Sequence, residues 1–161
     1  MDNQLNYIIA IRKNGQLEKA NALILKLVEK EPDNALYHYH CAWIYDSLGK
    51  ETEAIPHYEK AIHIGLERED LEGAYLGLGS TYRTLGNYEQ SKRVFQQAIE
   101  EFPQAEHIKV FHAMTLYNLG EFSKAMETLL NSLILTTNDE GIQQYSKAIQ
   151  FYSDKLDQTW A

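Results

Sequence analysis

The side chains in this sequence best suited to bind a metal or attack a carbonyl are six histidines and a single cysteine. Their spacing argues against both kinds of chemistry. His38 and His40 stand two apart and so point from different faces of a helix. Neither His57 with His63 nor His107 with His112 has the i, i+4 spacing by which two helical imidazoles share an ion. These histidines are read as structural or surface groups. Cys41 sits where a small apolar side chain is expected. A catalytic thiol needs a neighbour that lowers its pKa, and the one local candidate is His38, three residues earlier. Leu76-Gly77-Leu78-Gly79-Ser80 looks superficially like a phosphate-cradling loop. It lies inside a helical pattern, with neither a preceding strand nor a Lys-Ser/Thr pair, so its glycines are read as letting helices approach closely. No catalytic residue, metal or cofactor is expected.

Composition narrows the remaining classes. The chain has 161 residues, with 15 basic against 23 acidic side chains and a net charge of -8. That balance opposes binding to a nucleic-acid backbone, which calls for clustered cations, and docking on anionic membranes. A lone cysteine forms no internal disulfide and suits a reducing cytoplasm. No apolar run approaches ~20 residues, so no membrane span is expected. The expectation is a soluble, cytoplasmic protein. Ala, Leu, Glu, Lys and Gln are plentiful and β-branched runs nearly absent, which favours helix.

Four glycines set the organisation. Gly15, Gly49, Gly86 and Gly120 recur 34, 37 and 34 residues apart, each just after a helical pattern. That is the C-terminal position where positive φ is needed and a Cβ is unwelcome. Five residues beyond each stands a small residue: Ala20, Ala54, Ser91 and Ala125. Four further come Ile24, Tyr58, Phe95 and Leu129, and three beyond those Leu27, Ala61, Ala98 and Ser132. This i, i+4, i+7 rhythm marks one face of a second helix packed on the first. The repeats run about 1–34, 35–68, 72–105 and 106–139. Pro32 closes the first, and Asp33 or Asn34 then caps the next helix. Pro56 is expected in the first turn of its helix, where a missing N–H costs little. The run Glu67-Arg68-Glu69-Asp70 reads as a solvated helix end and connector. A last helix over about 140–157 carries an apolar stripe of Ile142, Tyr145, Ile149, Tyr152 and Leu156, suited to cap the array, with Trp160 folding back on it.

The third repeat gives the pattern a family. Tyr75-x2-Leu78-Gly79-x2-Tyr82, Gly86, Ser91-x3-Phe95, Ala98 and Pro103 resemble a tetratricopeptide repeat (TPR), with Tyr75 in the usual Trp place and Ser91 for Ala. The second repeat matches more loosely at His38, Cys41, Ala42, Tyr45, Ala54, Tyr58 and Ala61. The fourth does so at Lys109, His112, Ala113, Leu116, Ala125, Leu129 and Ser132, and the first keeps mainly Gly15, Ala20, Ile24 and Pro32. Asp70-Leu71, Leu78 to Tyr82 and the ending Asp157-Gln158-Thr159-Trp160 are similar to small stand-alone bacterial proteins of this class. The resemblance implies an all-α fold: one domain, a right-handed α-solenoid of four TPR helical hairpins plus a C-terminal capping helix.

It also implies a concave groove lined by particular first-helix positions. Carried over, these include Arg12 and Lys13 in the first repeat, and Tyr39, Trp43 and Asp46 in the second. Leu76, Ser80 and Arg83 follow in the third, then Val110, Met114, Tyr117 and Asn118 in the fourth. Tyr39 and Trp43 are the expected anchors, since large rigid aromatics dominate interface energetics. The alternative is that Trp43, Leu76 and Val110 only pack neighbouring helices. Chaperone-binding relatives grip a terminal carboxylate with Lys, Asn and Arg; here the corresponding positions hold Leu5 and Ile9, or Tyr39 and Trp43, so that clamp is missing. The function implied is a non-enzymatic scaffold whose groove binds a peptide or segment of an unidentified protein. The alternative is a self-associating structural module, a homo-oligomer without a separate ligand.

Overall fold

The computed structural model describes residues 2–160. Met1, which opens the first expected repeat, and Ala161 lie outside the described residues. Ten helices account for the regular structure, without a strand among the described residues. They fall into two compact units. The first, ending at Asn87, holds α1 (Asn3–Lys13), α2 (Leu17–Lys30), α3 (Ala35–Ser47), α4 (Glu51–Ile64) and α5 (Arg68–Thr84). The second, beginning at Tyr88, holds α6 (Tyr88–Glu101), α7 (Glu106–Asn118), α8 (Phe122–Thr136), α9 (Glu140–Gln144) and α10 (Ser146–Tyr152). The all-α architecture of helical hairpins is as the repeats predict.

Local chemistry explains where the helices start and turn. Asp2 accepts from the Gln4 and Leu5 amides at 2.9 and 3.3 Å, Asn34 from Tyr37 at 3.3 Å and Asp139 from Ile142 at 2.8 Å, each satisfying donors left over at a helix N-terminus. Between α1 and α2, Gly15 takes φ 77° and the Gln16 amide donates back to the Ile11 carbonyl at 3.0 Å, closing the turn. Gly49, Gly86 and Gly120 adopt the same positive φ, while Gly65, which ends α4 at φ 107° and ψ 127°, takes a more extended positive-φ backbone.

The second-helix rhythm is buried as its spacing requires. Ala20, Ile24 and Leu27 join Leu5, Ile8, Ile11, Tyr37, Cys41 and Ile44 in the core of the first unit. Ala54, Tyr58 and Ala61 lie buried on α4, and Ser91, Phe95 and Ala98 on α6. In the fourth repeat Ala125 and Ser132 are buried, but Leu129 is exposed.

Three expectations are corrected. Pro56 is the sixth residue of α4, not in its first turn; its missing N–H leaves one backbone hydrogen bond unmade on an exposed face. Arg68, Glu69 and Asp70 are not a connector but the opening turn of α5, where acidic side chains favour the helix N-terminus. The extra residues therefore lengthen a helix to 17 residues. The capping segment is not one helix to 157. It divides at Tyr145 into α9 and α10, and Tyr145, Tyr152 and Leu156 of its stripe are exposed. Trp160 does fold back, 5.4 Å from the Tyr152 ring. Among the described residues no helix is long and apolar enough to cross a membrane.

Candidate functional site

In the first unit α1, α3 and α5, the first helices of their hairpins, lie side by side. Near the end of α1, Arg12 is only 8% exposed. Its guanidinium carbon sits 3.6 Å above the centre of the Trp43 ring. Trp43, one turn from Tyr39 on α3, is 42% exposed, while Tyr39 is 7% exposed. The expected pair of surface anchors therefore divides: Trp43 offers its ring to solvent, and Tyr39 does not. The reason lies on α5, where Gly73 has no side chain and the Tyr39 hydroxyl fills the space a Cβ would need. Burial pushes the Tyr39 hydroxyl up to about 12, so it stays protonated. His40 stacks on Trp43 with ring planes 10° apart, and burial with the charges of Arg12 and Lys13 pushes it down to about 4. Lys13 itself is exposed.

Asp46 is half-buried and fully engaged. It accepts from the Tyr58 hydroxyl at 2.8 Å and from the Thr81 hydroxyl at 2.9 and 3.0 Å, one carboxylate joining α3, α4 and α5. Burial raises its pKa against the opposing pull of those two donors. The Tyr58 ring fits because Gly77 is bare; a Cβ there would collide with it. Leu76, Ser80 and Arg83 are half-buried on α5. The two glycines suspected in the sequence of permitting close packing thus do so at Gly77, and Gly73 repeats the device one turn earlier.

Two histidines that spacing kept apart are brought together. His38 and His57 approach Nδ1 to Nδ1 at 2.8 Å, and His38 Nε2 lies 3.0 Å from the Pro32 carbonyl. The carbonyl can only accept, so His38 carries its proton on Nε2 and His57 donates to its Nδ1. Their 19-residue separation crosses a hairpin, which no helical period detects. His57 is pushed down to about 4, chiefly by burial. Cys41 is fully buried and its thiol pushed up to about 12, hence protonated and unreactive at neutral pH. Among the described residues no three histidine, cysteine, aspartate or glutamate side chains could hold an ion together.

In the second unit α7 supplies the corresponding positions. Val110 is half-buried, whereas Met114, Asn118 and Tyr117 are exposed, Tyr117 at 64%. The Tyr117 ring meets Phe122 edge-on at 5.0 Å. Beneath them Ser91 and Thr115 share a buried hydrogen bond of 2.8 Å. Glu121 accepts from both Lys92 and Lys124, which hold its carboxyl down at about 2. On α8, Phe122, Met126, Leu129 and Leu133 form an exposed apolar stripe at i, i+4, i+7 and i+11.

A protein-family model described as tetratricopeptide repeat matches residues 35–156. Among curated proteins, the chain is 29% identical over 80 residues to Superkiller protein 3 of Saccharomyces cerevisiae, covering 50% of this chain and 5% of that one. It is 26% identical over 134 residues to Protein O-mannosyl-transferase Tmtc3 of Drosophila melanogaster, covering 83% and 14%. The chain thus spans only a small part of these relatives. Among solved structures, YrrB, described as a TPR protein with an unusual peptide-binding site, superposes with a TM-score of 0.70 at 20% identity, over 93% of this chain and 76% of that one. MamA gives 0.74 at 18% identity, over 94% and 85%. At such identities the likeness shows the fold alone.

Proposed function

The chain belongs to the tetratricopeptide repeat family, and from that premise we propose that it is a non-enzymatic scaffold whose first-helix faces capture a segment of another protein or peptide. The observation that carries this reading is Trp43, an exposed aromatic held in place by Arg12 on one ring face and by His40 and Tyr39 around it. A large ring already fixed in one orientation loses little entropy when a partner arrives. Binding positions in the second unit would be Met114, Tyr117 and Asn118. The fully protonated Cys41 adds no reactive group on this face. A cytoplasmic setting and a bacterial source belong to the same proposal.

Selection of peptides from a random library against the full chain tests it. Selected peptides should bind the Trp43→Ala variant at least tenfold more weakly, with helical circular dichroism unchanged. Equal binding to both proteins refutes the groove. Self-association is the second reading, favoured by the apolar stripe on α8. Sedimentation velocity over a hundredfold range of concentration decides it, since a monomer throughout removes it.

A further inference from the structure

We infer that a pocket between α1 and α2 receives the segment Leu156–Trp160 of a second copy of this chain, with Trp160 as the inserted side chain. The inference rests on the self-association reading, names the two surfaces through which it acts, and is independent of the Trp43 face. The pocket has a volume of about 390 Å³. Buried Ile8 and Leu27 form its base, and Tyr7 and Leu23 flank it. Its lining is mainly apolar, and among the described residues that line it Lys26 is the only charged one, on an exposed position. A second cation stands close by, because Lys19 donates to the Tyr7 hydroxyl at 2.9 Å. A cavity of this size, apolar within and cationic at its edge, suits one large aromatic ring with an acid near it in sequence.

The second unit carries such a segment. Residues 156–160 follow α10 and are exposed throughout. The Trp160 ring meets Phe151 at 6.4 Å and Tyr152 at 5.4 Å, yet all three rings stay about half exposed. Asp154 pairs with Lys155, whereas Asp157 accepts from the neutral Ser123 hydroxyl at 3.1 Å and keeps a charge opposite to that of Lys19 and Lys26. With about 150–250 Å² for each aromatic side chain, the exposed parts of Phe151, Tyr152 and Trp160 come to about 240–390 Å². The α8 stripe adjoins this cluster, because Ser123, next to Phe122, holds Asp157, and it extends the apolar surface. A monomer seldom leaves so much uncovered in one patch. The aromatic cluster alone falls below the ~800 Å² per partner of a standard stable interface, so the contact should be weak and concentration-dependent. Pocket and segment are different surfaces, so the contact is heterologous: each copy offers one pocket and donates one segment.

Sedimentation velocity of the full chain and its variants, over a hundredfold range of concentration, tests the pairing. The wild-type chain should sediment faster as concentration rises. Leu23→Glu places a charge in the pocket wall that repels Asp157, and Trp160→Ala removes the inserted ring; each should weaken association at least tenfold. An equimolar mixture of these two variants should form a 1:1 complex at near wild-type affinity, because one keeps its segment and the other its pocket. Lys26→Glu changes an exposed side chain and should weaken association about fivefold. It stands in for Leu23→Glu if that variant loses its helical circular dichroism. Variants that associate as tightly as the wild type overturn the inference and leave self-association to the α8 stripe. Variants that are monomeric both alone and mixed overturn the pairing of this pocket with this segment. A wild-type chain that is monomeric throughout overturns the inference together with the self-association reading, and leaves the Trp43 groove standing.

Discussion

The two units carry the same repeat pattern but spend their side chains differently. In the first, polar and charged groups are drawn inward: Arg12, His38, His40 and Thr81 are buried, and Asp46 ties three helices together. Glycines at 73 and 77 make the room this needs. In the second, the buried polar side chains are the small hydroxyls of Ser91, Thr115, Ser132 and Ser153, set among Phe95, Ile108, Ala113 and Leu116, and the large apolar side chains of α8 and α10 face outward. Unit one therefore presents few exposed apolar groups around a preorganised aromatic, whereas unit two presents a broad apolar surface. A repeat pattern fixes which residues share a face; it does not fix whether that face is covered.

The largest effect should come from the interior of the second unit. Phe95 is fully buried, and Phe95→Ala should cost about 3–5 kcal/mol, measured by urea denaturation, because the surrounding helices cannot close the cavity. A cost below about 1 kcal/mol would mean that this core packs loosely. Acid should act more strongly on the first unit. His40 and His57, both pushed down to about 4, favour their neutral forms when folded. A depressed histidine contributes its stability in full above its unfolded pKa of ~6.5 and loses it as pH falls through 6.5 towards 4. For His40 the loss is at most about 3 kcal/mol, partly offset by Asp46, whose raised pKa works in the opposite sense. Hydrogen exchange across that pH range should show protection falling more in α3 and α4 than in α7, where His112 is the depressed group. An equal fall in both units would erase the electrostatic side of the comparison.

Asp46→Ala should cost about 2 kcal/mol in thermal or urea denaturation, since it leaves the Tyr58 hydroxyl buried without its acceptor. Thr81 can turn its single hydroxyl proton to the Gly77 carbonyl at 2.8 Å, which limits the damage. The smallest effect on stability belongs to the exposed stripe. Leu133→Lys on α8 should change folding free energy by no more than about 0.5 kcal/mol, because the side chain already lies partly in water. It should also raise solubility and abolish any concentration-dependent sedimentation. A loss of several kcal/mol would show that the stripe is covered in solution.

Much of the fold was legible in the sequence because helix periodicity and turn chemistry are local. Gly15, Gly49, Gly86 and Gly120 are where left-handed backbone was expected, and the i, i+4, i+7 triplets of the first three repeats are buried as their spacing demands. Local patterns were weaker where two readings share one composition. Glu67 to Asp70 suits a connector as well as the acidic start of a helix, and the Ile142–Leu156 stripe does not reveal the break at Tyr145. The candidate site was legible only as a set of positions. Trp43, Arg12 and Asp46 were named from the repeat register, but their exposure, stacking and shared hydrogen bonds were not.

The sequence by itself determined the helical hairpins, their register and the family, because each depends on spacing within some 34 residues. The tertiary structure alone decided the pairing of His38 with His57, the burial of Tyr39 over Gly73, the stacking of Arg12 and His40 on Trp43, and the exposure of Leu129. These depend on which helix lies against which, and on the space left where a glycine removes a side chain. Neither is encoded in the period of any one helix.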